Sequence, residues 1–322
     1  MAARRASKPL DTPGPAVEAW AVRSLMLAAL ASGAAVAPAA PLAAQAPQAA
    51  DLWRVAAATL VVPAALEQGP TGGFWNPAAR QDGVLAAGLE VVETSDIIGL
   101  SGLIAGASYA AGPGRLGIEL ARVEVRDLVR TAGSPSSQIG SIPVYEQFVG
   151  INAQLSRGRA TVAASARLHD SRFDVIDEQG VTVDIGVALA PLSRLRLAGA
   201  THFMPFDLKD RATTDYYGAA EYAVLGAIPM LGTSAELLAR YGVTRRSSGD
   251  VEHSVGLGGA LNDRLSIEGA LMGESAYGQR SWRPALGITF RVGRYTIGLA
   301  RSEGLNDLGA AYRVGLDVEL TR

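Results

Sequence analysis

Beyond residue 82, apolar residues return at every second position in segments of about ten, and no stripe of helical period persists. In "AYRVGLDVELTR", Tyr312, Val314, Leu316, Val318 and Leu320 share one face, with Arg313, Gly315, Asp317, Glu319 and Thr321 on the other, because strand side chains alternate. "WRPALGITFRV" opposes Trp282, Pro284, Leu286, Ile288, Phe290 and Val292 to Arg283, Ala285, Gly287, Thr289 and Arg291, and "RYTIGLARS" and "VTVDIGVAL" repeat the pattern. One face suits hydrocarbon and the other water, as transmembrane β-strands require.

About fourteen such segments are predicted, near 84–94, 100–111, 115–126, 144–156, 158–169, 180–190, 193–203, 214–225, 233–245, 251–262, 263–274, 281–292, 293–303 and 310–321. The joins alternate in length. "LSRGR", "LSRLR", "LNDRL" and "RVGR" are tight, whereas "DLVRTAGSPSSQIGSIP", "HDSRFDVIDEQG" and "FMPFDLKDRATTD" are long and polar, matching the short periplasmic turns and long outer loops of bacterial barrels. "GAIPMLG" breaks this parity and raises the prospect of a miscounted strand.

A secreted β-sandwich would carry long charged side chains on its polar face. Here that face is rich in Gly, Ala and Ser, and beyond residue 46 lysine occurs only at Lys209. Small residues suit a lumen that must hold something. The predicted fold is therefore all-β: a transmembrane antiparallel up-and-down barrel of about 14 strands with a short N-terminal helical plug. Trp282, Phe203, Tyr216, Tyr241 and Tyr312 fall at outer strand ends and Tyr109, Phe290 and Tyr295 at inner ends, as two interfacial girdles would.

Composition narrows the function. With 322 residues, a net charge of −2 and no cysteine, the chain has no disulfide framework, no thiolate site and no basic signature of a nucleic-acid binder. Arg4, Arg5, Lys8 and Arg23 precede the apolar run "SLMLAALASGAAVAPAAPLAA" and the small-residue stretch "AAQAPQAA", the order of a cleaved signal peptide. The expected division is residues 1–46 as signal peptide, 47–82 as plug or hatch and 83–322 as barrel, with the outer membrane of the cell as destination. Lipid and the barrel-insertion machinery are the expected partners.

The plug segment lacks alternation and ends in "GGFWNPAAR". Asn76 before Pro77 reads as a helix start, with Asn as N-cap and Pro at the first helical position, so "PAARQ" is predicted to be a short helix at the end of a periplasm-side plug. Here the chain resembles the outer-membrane barrels of the long-chain fatty acid transporter-like superfamily, which also includes a type nine secretion component. The resemblance rests on Gly72, Gly73, Phe74, Trp75, Asn76, Pro77 and Ala78, and on strand number and length. It implies a fourteen-strand barrel with an N-terminal hatch, and sideways exit of hydrophobic ligands at a kinked third strand.

The third segment, "LGIELARVEV", does break phase between Leu120 and Ala121, consistent with a β-bulge. That bulge reads either as a lateral gate or as an ordinary bulge or early strand end. The expected lumen charges are Glu90, Arg167, Asp184, Arg194, Arg196, Glu221, Glu236, Arg240, Glu268, Arg283, Arg291, Arg313, Asp317 and Glu319. Their mixed signs favour pairing within the wall or onto the plug over a one-sign ion filter. His169 and His202 read as solvated residues at outer strand ends. His253 and Ser254, being strand neighbours, point to opposite faces and cannot form a nucleophile pair. No metal, cofactor or catalytic set is expected. The predicted function is passive transport of hydrophobic or small amphiphilic molecules; the alternative is a non-transporting scaffold for secretion or envelope assembly.

Overall fold

The computed structural model describes residues 50–95, 99–133, 137–206, 214–230, 233–261, 264–276, 279–303 and 309–321. The proposed signal peptide, 1–46, lies outside them. Two short helices, α1 (Ala50–Ala57) and α2 (Gly69–Gly72), flank a 3-10 turn at Ala64–Leu66. Strands β1 (Leu85–Thr94), β2 (Leu100–Ala111) and β3 (Gly114–Val125) follow, then a small separate hairpin, β4 (Val129–Thr131) and β5 (Gln138–Ser141). The wall resumes with β6 (Val144–Arg157), β7 (Ala160–Phe173), β8 (Ile176–Leu192), β9 (Leu195–His202) and β10 (Asp215–Met230). It ends with β11 (Thr233–Arg245), β12 (Val251–Leu261), β13 (Leu265–Ala276), β14 (Gln279–Val292), β15 (Tyr295–Ser302) and β16 (Ala311–Thr321).

Fourteen of these strands form a closed antiparallel barrel in chain order, with β3 pairing β6 and β1 closing on β16 from Leu85↔Thr321 to Thr94↔Ala311. Closure leaves no open sheet edge. The tight joins gather at one rim, where Gly158 (φ 62°) and Gly293 (φ 64°) supply the left-handed backbone that two-residue hairpins favour. The long joins lie at the other. Pro284 on β14 pairs with Leu271, and its carbonyl accepts from Glu303 N at 3.1 Å just past the end of β15. Backbone N and O of one strand residue face the same neighbour, so the missing donor falls where that neighbour stops.

Apolar side chains point outward along the wall, with Leu286, Ile151 and Leu257 among the most exposed. Tyr216, Tyr241, Trp282 and Tyr312 face out at the long-join end, and Tyr109, Phe290 and Tyr295 at the short-turn end. Phe203 departs from that expectation: its φ of 60° turns it inward, 6% exposed, onto the plug.

Three expectations are corrected. The bulge between Leu120 and Ala121 does not occur, because β3 keeps continuous register with both β2 and β6. Leu120 is 51% exposed while Ala121 and Val123 are buried, so alternation continues and the inward face itself becomes apolar there. Among the described residues, "GAIPMLG" hides no extra strand: β10 runs on to Met230, with register shifts against β11 at Ala223/Leu225 and Leu225/Ile228. "PAARQ" is not helical. The Asn76 side-chain oxygen accepts from Ala78 N at 2.9 Å, closing an Asx turn instead of capping a helix.

Candidate functional site

The N-terminal segment crosses the lumen from rim to rim, so the plug expected on the periplasmic, short-turn side also reaches the long-join rim. At the long-join rim, Arg54 of α1 donates to Ser247 Oγ at 2.6 Å and lies 3.7 Å from Asp215. The chain descends through the 3-10 turn and α2, which Pro70 starts at its first turn. Gly69 N then bonds Arg80 O at 2.9 Å, tying the descending arm to the segment that leads into β1. At the short-turn rim, Arg115 donates to the carbonyls of Gln81 (3.3 Å) and Gly83 (2.7 Å).

All of Gly72, Gly73, Phe74, Trp75, Asn76, Pro77 and Ala78 are buried. Phe74 and Trp75 meet edge to face, centroids 5.1 Å apart, and pack with Trp53 of α1. From the wall, Phe148 of β6, His202 of β9 and Phe203 join them. The apolar inward face of β3 belongs to this cluster, since Ala121 and Val123 pack into it. Offset and edge-to-face aromatic pairs add roughly 0.5–1.5 kcal/mol each beyond area burial.

Polar contacts fix the position of the cluster. Arg167 of β7 bonds Glu119 at 2.9 Å and Asp184, and donates to the carbonyls of Phe74 (2.9 Å) and Gly73 (3.3 Å). Asn152 donates to Pro77 O at 3.0 Å, and Gln154 to Pro77 O at 2.6 Å and Ala79 O at 3.2 Å. Asn76 donates back to Ala65 O at 2.6 Å. Inward glycines make room: a Cβ on Gly106 would come within 2.7 Å of the Pro70 carbonyl carbon, and one on Gly186 within 2.6 Å of Ala78 N.

The expected lumen charges largely sort into pairs. Arg313 holds Glu90 and lies over the Trp75 ring at 5.6 Å. Arg240 bridges Glu221 (2.7 Å) and Glu268 (2.9 Å), and Arg196 reaches Glu221 at 3.9 Å. Arg291 bonds Glu319 at 2.6 Å, Arg283 donates to Glu303 O at 2.8 Å, and Asp317 faces α2. Arg194 is not a lumen charge: it stands exposed in the β8–β9 turn, since the strand ends before it.

His202 corrects a further expectation. It is fully buried, stacked on Phe203 at 3.8 Å and 3.3 Å from Asp184, because the turn at Phe203 keeps the β9 end inside the cluster. His169 is half-buried, 5.6 Å from Phe148. His253 bonds Tyr241 OH on the outer face while Ser254 faces in. Sequence reasoning missed Glu119, Phe148, Asn152 and Gln154. Glu119, an acid set between Ile118 and Leu120 on β3, carried the one local signal.

A cavity of about 320 Å³ lies between the plug and the inward faces of β13–β16 and β1. Glu67 lines it. Burial pushes the Glu67 carboxyl up to about 8; Arg313 pulls the other way, and Glu90 and Glu268 add to the rise.

No family model and no curated protein matches the chain. Among solved structures, the toluene transporter TodX of Pseudomonas putida superposes with a TM-score of 0.52 at 12% identity, over 81% of this chain and 95% of that chain. A mutant porin of Rh. blastica gives 0.41 at 9% identity, over 73% and 98%. At 12% identity the likeness to TodX is one of fold.

Proposed function

We propose that the chain is an outer-membrane barrel that passively passes small amphiphilic or hydrophobic molecules around its plug. The observation that carries this reading is a closed fourteen-strand wall, apolar outside, whose lumen holds an inserted segment with a cavity left beside it. Hydrocarbon admits only helices and closed barrels, because every backbone polar group needs a partner. The plug motif from Gly72 to Ala78 and the likeness to TodX, a toluene transporter, support placement near the long-chain fatty acid transporter-like superfamily. Export by a cleaved signal peptide and assembly by the barrel-insertion machinery belong to the same proposal.

A scaffold reading draws on exposed apolar side chains at the long-join rim, such as Ile139 and Val175. One experiment separates the two. Membrane-extracted protein that shifts in gel mobility on heating, reconstituted in liposomes, is expected to conduct small solutes. A barrel that inserts, stays heat-modifiable and passes nothing would leave the scaffold.

A further inference from the structure

A second, smaller space of about 70 Å³ lies between plug residues 57–65 and the β10–β14 wall, towards the long-join rim. It stands on the same side of the plug as the 320 Å³ cavity, and Val61 and Val62 line both. The opposite side is packed by the aromatic cluster and the Arg167 contacts. Between the two spaces, Val61 is 8% exposed and meets Ala270 and Ala285, with Met272 and Ala300 against them. A Cβ on Gly287 would come 3.3 Å from Val61 Cγ2. The wall side of this contact is mostly Ala and Gly, so the plug's valine does most of the closing.

We propose that the two spaces are halves of one permeation path along this side of the plug, with Val61 setting its width. The proposal rests on the transport reading and names its route and solute class. In the lower chamber Arg240, Arg291 and Arg313 stand among Glu90, Glu268 and Glu319, a wall of both signs that suits a polar or zwitterionic head. The Val61 contact is apolar and suits a methylene chain, so the path takes small amphiphiles carrying both. A volume of 320 Å³ lies within the roughly 300–1,000 Å³ of small-molecule sites. Gly315 lines that chamber with nothing within 4 Å of where its Cβ would stand, unlike Gly106 and Gly186, which the plug fills.

Swelling of protein-loaded liposomes in 6-aminohexanoate tests the path. Val61→Ala is expected to raise the rate several-fold, and Gly315→Phe, which has room to fold, to bring it towards that of protein-free vesicles. Val162→Trp, on the outer face, is expected to keep the wild-type rate. If wild-type vesicles swell and neither Val61→Ala nor Gly315→Phe changes the rate while both remain heat-modifiable, the route is wrong and transport stands. If neither wild type nor Val61→Ala swells, the transport reading fails and the route with it.

Discussion

Arg167 in the wall grips Phe74 in the plug in two ways: its guanidinium donates to the Phe74 carbonyl at 2.9 Å and lies over the Phe74 ring at 4.9 Å. Glu119 and Asp184 flank the same guanidinium, so a single side chain joins β3, β7, β8 and the plug. Replacing Arg167 by Met leaves two buried carboxylates without their cation, a loss of roughly 3–5 kcal/mol. The expected result is a plug open to protease between residues 50 and 82 and a lower melting temperature. Arg167→Lys should rescue it only in part, since an ammonium cannot reproduce the planar fork. Wild-type protease resistance in Arg167→Met would refute this anchor.

Interior glycines should differ by what stands opposite them. Gly106→Val drives a side chain into the Pro70 backbone and is expected to displace α2 and expose the plug to protease. Gly315→Ala meets open space and should be neutral in thermal melting. Equal effects at the two sites would show that the plug does not lie where β2 places it.

Docking of the plug should weaken with alkali. Burial in the folded protein pushes the Glu67 carboxyl up from its ordinary 4.5 to about 8, so the folded form holds a proton that the released form gives up. The favourable contribution is complete below about 4.5 and is lost as pH rises through about 8. Protease sensitivity of the plug should therefore rise over that window, and Glu67→Gln should flatten the profile. An unchanged slope in Glu67→Gln would assign the dependence to another group.

The outer face should reject charge. Ile151, 65% exposed near the middle of β6, faces the lipid under the proposed membrane placement. Ile151→Arg is expected to cost roughly 2–4 kcal/mol of insertion stability if it lies at the bilayer midplane. Refolding into vesicles under a denaturant series measures the difference, and an unaltered midpoint would argue against lipid contact there.

Strand after strand, alternation alone placed the wall, because period two follows from the pleat and needs no distant partner. In β2 and β11 the predicted bounds, 100–111 and 233–245, coincide with those observed. The plug motif was legible as a feature, but its turn was not. Asn76 can cap a helix or close an Asx turn by the same acceptor chemistry, and only contacts with Ala65 and Ala78 chose between them. Arg194 and Arg196 share a parity, yet the strand begins between them.

The sequence by itself determined an apolar face looking outward, joins alternating in length, and small or charged residues lining the inside. Those properties reside in neighbours along the chain. Tertiary structure decided what each inward residue does, because its partner lies on another strand or on the plug. Ala121 and Val123 broke the expected phase since an aromatic plug stands opposite them, Phe203 and His202 turned inward to the same cluster, and Gly315 faces open space. Side chains on the outer face meet one surrounding everywhere, and those facing the lumen meet whatever the fold brings there.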